Sequence, residues 1–173
     1  MKRGDAMALV LLGGWLAMTI SMWFAATGSF GTVRRVLEGG NPQLADTARP
    51  LAPDQERLVL RHLASEINRT YFRAYGWAQL ALGAALLMLL ALKTPRDTTS
   101  IIVTGTMVAV AAVLTLYVTP EIVALGRRID FVPRDPAPPE MPRFRVLHGA
   151  FTLLDGLKLL AGIALAVRWI IRR

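Results

Sequence analysis

Three long windows of the chain, 6–33, 74–92 and 98–120, contain no charged residue. An α-helix rises 1.5 Å per residue and a bilayer's hydrocarbon core is about 30 Å thick, so roughly 20 helical residues span it. Each window reaches or approaches that length. A fourth segment, 147–170, is equally apolar but contains Asp155 and Lys158. All ten prolines lie outside or at the edge of these four segments. Proline removes an amide donor and breaks helix interiors, so this partition predicts four uninterrupted helices. The expected fold is all-α: a single-domain integral membrane four-helix bundle with up-down topology. Its spans are expected near 6–30, 70–92, 101–119 and 147–170.

Composition agrees. The chain is 54% hydrophobic and 18% charged, against about 45–50% and 25% in soluble domains. That balance excludes a disordered chain and disfavours a soluble one. The lack of cysteine excludes disulfides, thiolate metal sites and a cysteine nucleophile. The first window has a basic start (Lys2, Arg3) and small residues after Phe24, as a signal peptide would. It is too long for an apolar core of about 7–15 residues, which favours a retained helix.

The connecting segments are uneven. Between the first two spans lies a turn-rich stretch, 39–53, after which Asp54 is placed to cap an amphipathic helix over about 54–69 that runs into the second span. Residues 93–100 form a tight link. Pro120 caps or kinks the third helix, with a helical continuation over 121–129. The segment 131–145 holds five prolines and reads as an extended loop. Both long loops then share one side of the membrane, with helix extensions, and both termini share the other. Lys2, Arg3, Lys93, Arg96, Arg168, Arg172 and Arg173 on the short segments point to cytoplasmic termini, in a bacterial inner membrane. The net charge of +8 does not imply nucleic acid, because the long loops mix arginines with acids that would repel phosphate. The expected partner is the lipid bilayer. Gly13, Ala17, Ser21 and Ala25 recur every four residues in the first helix, a stripe that suits helix–helix contact within a homo-oligomer or a larger membrane complex.

Asp155 and Lys158 are the sharpest chemical signal. A charge at the bilayer centre costs about 2.5–3.5 kcal/mol on insertion scales, and residues three apart on a helix can pair. His148 and Thr152 fall on roughly the same face as Asp155, and Gln79 of the second span lies at similar depth. This set reads either as a polar intramembrane site for a proton, ion or small solute, or as a buried pair that fixes helix register. Nearer the long-loop side, Glu66, Asn68, Arg69, Arg73 and Glu121 form an expected vestibule. Glu66, Arg69 and Arg73 equally read as a solvated, salt-bridged face. The two histidines, His62 and His148, show no metal-ligand spacing, so metal or haem ligation is the weaker alternative and the metal is unknown. There is no P-loop, zincin or nucleophile-elbow motif, so neither catalysis nor a cofactor is expected.

Several stretches carry a resemblance. They are Gly14 and Trp15 with Phe24, then NRTYFRAY over 68–75, YVTPEI over 117–122, and FRVLHG over 144–149 leading to Leu154 and Asp155. Together they resemble a family of small four-helix membrane proteins that includes bacterial relatives of human transmembrane protein 205. That family is distantly similar to copper-resistance D-type proteins and to haem-associated four-helix proteins. Those relatives carry more intramembrane histidines than this chain, whose first helix has none. The resemblance implies the four-helix architecture and leaves the activity open. The residues themselves point to a non-enzymatic protein that handles an ion, proton or small solute, or to an accessory subunit that stabilises a larger membrane assembly.

Overall fold

The computed structural model describes residues 3–39, 42–48, 53–132 and 136–172. Lys2, Arg173, residues 40–41, 49–52 and 133–135, and the side chain of Asp54 expected to act as a cap, lie outside the described residues.

The helices are α1 (Arg3–Glu38), a short α2 (Pro42–Ala48), α3 (Pro53–Ala91), α4 (Thr98–Val113), α5 (Thr119–Ile129) and α6 (Met141–Ile171). A wide turn, Leu114–Val118, joins α4 to α5, in which the Thr119 amide donates to the Leu114 carbonyl five residues back. Four helical rods, Gly4–Glu38, Gln55–Ala91, Thr98–Ile129 and Met141–Ile171, are long and apolar enough to cross a membrane. Their outward faces are apolar: Phe24, Leu92 and Ile171 are each about three-quarters exposed. A belt of that kind is expected of a surface that meets lipid rather than water.

The rods are longer than the bilayer requires. At 1.5 Å per residue, the 39 residues of α3 reach about 58 Å, nearly twice the hydrocarbon thickness. The amphipathic segment over 54–69 and the second span are thus one helix, and α1 continues to Glu38 beside it. The loop 131–145 is shorter than its prolines imply. α6 begins at Met141 and accepts Pro142 in its first turn, where the missing amide has no helical partner to lose. Pro120 does not end the third rod either. It sits in the first turn of α5, and the widened turn before it absorbs the hydrogen bond that proline cannot donate.

Contacts at the ends establish the up-down order. At one end Lys93, in the link after α3, pairs with Asp5 of α1. Beside it, Arg168 of α6 grips Asp97 with both guanidinium nitrogens, at 2.7 and 2.9 Å. The start of α1, the end of α6 and the short link share that end. Ser100 joins the clip: its hydroxyl donates to Asp97 Oδ2 at 2.7 Å and accepts from Arg168 and from Trp169 Nε1. Arg168, followed by hydrogen bonds from Ser100, holds the Asp97 carboxyl well below the usual carboxylate range.

The core has two layers. Leu12, Trp15, Leu86, Met107, Ala111 and Leu165 fill the layer toward the clip. Met22, Tyr75, Leu114, Val118 and Phe151 fill the layer toward the long loops. Close approach demands glycine at particular positions. A Cβ on Gly83 would stand 2.7 Å from the Trp15 ring and from Val108, and one on Gly162 would stand 2.5 Å from Leu16. The stripe of Gly13, Ala17 and Ser21 faces outward instead, and space at Gly13 is open.

Candidate functional site

Two helical faces build the site. On α3, Arg61, Ser65, Asn68, Phe72, Tyr75 and Gln79 follow alternating spacings of four and three, which keep a residue on one side of a helix. On α6, Phe144, His148, Phe151, Asp155, Lys158 and Gly162 do the same. The two faces, with α1 and, around the cavity, α5, enclose three levels: a polar network, an aromatic floor, and a cavity open toward the long loops.

The network is buried at mid-helix. Lys158 Nζ lies 2.5 Å from Asp155 Oδ1, donates to the Tyr75 hydroxyl at 2.9 Å, and donates to Gln79 Oε1. Tyr75 in turn donates to Asp155 Oδ1 at 2.8 Å, and Trp23 Nε1 donates to Asp155 Oδ2 at 2.9 Å. Thr19 lies 3.0 Å from the Tyr75 hydroxyl and donates to the Trp15 carbonyl. The ammonium also sits 5.1 Å from the Tyr75 ring centroid and 5.8 Å from that of Trp15, within cation–π range. Every proton of the ammonium therefore has an acceptor, and the carboxylate accepts three donors from three helices. Asp155, Gln79 and Thr19 are at most 1% exposed. Of the group, Trp23 alone reaches the outer surface, at 38% exposure.

His148 and Thr152 do not join this network. At 3.6 residues per turn, Thr152 projects about 60° from Asp155 on the side away from Lys158. It is exposed, and its hydroxyl donates to its own helix at the His148 carbonyl. Phe151 holds the inward position instead. His148 shares the face of Asp155 but lies seven residues, roughly 10 Å, higher. It is exposed there and stacks on Phe144 with ring centroids 5.9 Å apart. Tyr75, Thr19 and Trp23 complete the network where a reading of intramembrane charge alone stops short. The 75–79 spacing with Gln79 is the signal that finds Tyr75.

Above the network, Phe72 and Phe151 meet edge to face, with centroids 5.2 Å apart. They form the floor of a cavity of about 400 Å³. Asn68 and Arg69 line it. Asn68 donates to the Ala26 carbonyl at 3.1 Å and accepts from Ser29, tying α3 to α1. Arg69, only 8% exposed, donates to Asp130 at 2.9 Å and to Glu66 at 2.6 Å. Glu66 also meets Arg127 at 3.3 Å. Arg73 is exposed, outside the cavity lining. Glu121 pairs with Arg143 at 2.7 Å, away from it. The vestibule thus contains Asn68 and Arg69 of the five expected residues, with Glu66 as an outer partner.

One donor set has the composition of a metal site. Ligand atoms of His62, Glu66 and Asp130 lie within 4.8 Å of one another. The Arg69 guanidinium bonds both carboxylates, and His62 Nδ1 lies 2.9 Å from Asp130. The cluster already holds a cation, so it fits a latch between α3 and α5 better than a metal.

No protein-family model, curated protein or solved structure matches the chain. The fold and site define a polytopic α-helical membrane protein with a fully partnered ion pair inside its bundle.

Proposed function

We propose that this membrane protein is not an enzyme and handles a proton, ion or small solute along the axis of its bundle. The observation that carries the reading is the position of Lys158 Nζ, within bonding reach of Asp155, Tyr75 and Gln79 in a site closed to solvent. Intramembrane ionisable groups mark transport or relay paths by default. A polar file continues toward the clip. Ser100 and Thr104 are both fully buried, one turn apart on α4. Counting seven residues along each helix from the Asp97–Arg168 pair puts Thr104 level with Ala161, roughly 5 Å from the depth of Lys158. The buried Thr104 hydroxyl and the buried Trp15 Nε1 have no hydrogen-bond partner among the described residues. A carboxylate, an ammonium, a phenol and hydroxyls all donate or accept protons, so of the three cargoes a proton suits them best. The four-helix resemblance to relatives of transmembrane protein 205 belongs to this proposal. So does a bacterial inner-membrane location with cytoplasmic termini, supported by Lys93, Arg96, Arg168 and Arg172 at the short-link end.

The test uses liposomes containing the purified protein, an entrapped pH dye and an imposed proton gradient. The wild type is expected to dissipate the gradient faster than empty liposomes. The variant with both Asp155→Leu and Lys158→Met is expected to fold, by circular dichroism, and to lose that acceleration. A wild type no faster than empty liposomes, or an unaffected double variant, overturns the reading.

A second reading makes the chain an accessory subunit with a purely structural ion pair. It is favoured by the outward stripe of Gly13, Ala17 and Ser21, open for another helix. Co-purification of a stoichiometric partner from gently solubilised membrane, lost on Gly13→Leu, would support it.

A further inference from the structure

We infer that the cavity above the Phe72–Phe151 floor binds an anionic amphiphile: an apolar chain bearing one carboxylate or phosphate head. This goes beyond the proton reading and does not rest on it.

The walls are mainly apolar and aromatic, including Phe30, Ile122, Val123 and Phe144. The volume of about 400 Å³ falls within the range of about 300–1,000 Å³ typical of small-molecule sites. The charges in the lining are Arg61, Arg69 and Asp130, with His148 as the titratable neighbour. Asp130 would repel an anion, but Arg69 bonds both of its oxygens, at 2.9 and 2.8 Å. Arg69 is thereby spent on Asp130 and Glu66. Arg61 remains. It is half-buried, lines the cavity, and forms no ion pair or hydrogen bond among the described residues. A guanidinium held at an apolar cavity without a counter-ion among the described residues calls for an oxyanion that offers two oxygens to its fork, a carboxylate or a phosphate. Arg61 lies eleven residues above Phe72, about 16 Å along α3. That separation of head site from apolar floor fits an extended chain with its charge at the long-loop mouth. The cavity lies on the long-loop side of the aromatic floor.

Native mass spectrometry on the full chain in neutral detergent tests this. The added probes are dodecyl phosphate, dodecanoate, dodecanol and inorganic phosphate. The two charged amphiphiles are expected to bind one per chain, and dodecanol and phosphate alone about tenfold more weakly or worse. Arg61→Gln is expected to lower amphiphile binding about tenfold, Arg61→Lys to retain most of it, and Val123→Trp to abolish it by filling the space. Preference for dodecyl phosphate would indicate a phospholipid-type head as the natural source, and preference for dodecanoate a free fatty acid. Equal binding of dodecanol and dodecyl phosphate, binding of phosphate alone as tight as that of dodecyl phosphate, or an Arg61→Gln protein that binds as the wild type does would overturn the inference. Helical content and chain mass of each variant are checked in the same samples, so misfolding is separated from lost binding.

Discussion

The phenol of Tyr75 donates a 2.8 Å hydrogen bond to Asp155 Oδ1 while its oxygen accepts one from Lys158 at 2.9 Å. A single side chain of α3 thereby bridges both halves of an ion pair on α6. The pair joins helices as well as neutralising itself. Removing the phenol should show this. Tyr75→Phe keeps the ring against Met22 and Leu114 but leaves Asp155 and Lys158 each one partner short. The expected loss is about 1–3 kcal/mol, the range for stranding a buried polar group. Denaturant unfolding in detergent measures it. Additivity of Tyr75→Phe with Asp155→Asn would contradict the bridge, since residues in one network should be strongly coupled.

The ion pair itself predicts a non-additive pattern. Asp155→Leu alone leaves the Lys158 ammonium uncompensated, and Lys158→Met alone does the same to the carboxylate. Each should cost about 3–5 kcal/mol. The double replacement removes both charges and should recover most of that loss, because apolar residues of similar size replace buried pairs at little cost. Thermal unfolding of the three variants is the measurement. A double variant as unstable as the sum of the singles would mean that Tyr75, Gln79 and Trp23 need the charges to keep their places.

The sequence makes the network legible only along each helix. The missing charges show four spans, and the lone Asp155 and Lys158 stand out against an apolar segment. Gln79 is findable by depth. Thr152 looks equivalent to Phe151, because spacings of three and four both return to roughly one face. Packing decides between them: Phe72 on α3 offers Phe151 an edge-to-face partner. The partners of Arg69 are hidden for a different reason. Asp130 is 61 residues away, in a region that reads as the start of a loop, and no pattern on α3 foretells it. Helix extents are likewise underestimated, since membrane thickness sets only a lower bound on a helix that continues into water.

Glycines separate packing from propensity. Gly83→Ala would place its methyl group 2.7 Å from the Trp15 ring and from Val108 Cγ2. Trp15 is fully buried and cannot swing away. Overpacking of this kind costs about 1–3 kcal/mol, more than the roughly 1 kcal/mol that alanine gains over glycine in a helix. Gly105→Ala on α4 meets nothing within 4 Å and should be neutral or stabilising. The two variants are compared by melting temperature in one detergent. Equal shifts would show that α1 and α4 can part around position 83 at no cost.

The clip at the terminal end predicts an acid sensitivity of defined sign. Arg168 grips Asp97 with both nitrogens, and the Asp97 carboxyl is held well below its ordinary value. A carboxylate with a lowered folded pKa adds stability that is fully present above its unfolded pKa, about 3.9, and drains away as pH falls toward the folded value. Asp97 is partly exposed, so solvent and salt reduce the size of the effect. Its direction stands. The wild type should lose stability relative to Asp97→Asn as pH drops from about 5 to 2, and should show no such difference in slope between pH 6 and 8. Paired unfolding curves across that range, at low and high salt, supply the test. Salt should flatten the acid limb of the wild type and leave that of Asp97→Asn little changed. Parallel curves for the two proteins below pH 4 would mean that the clip is present in both the folded and unfolded states, or contributes to neither.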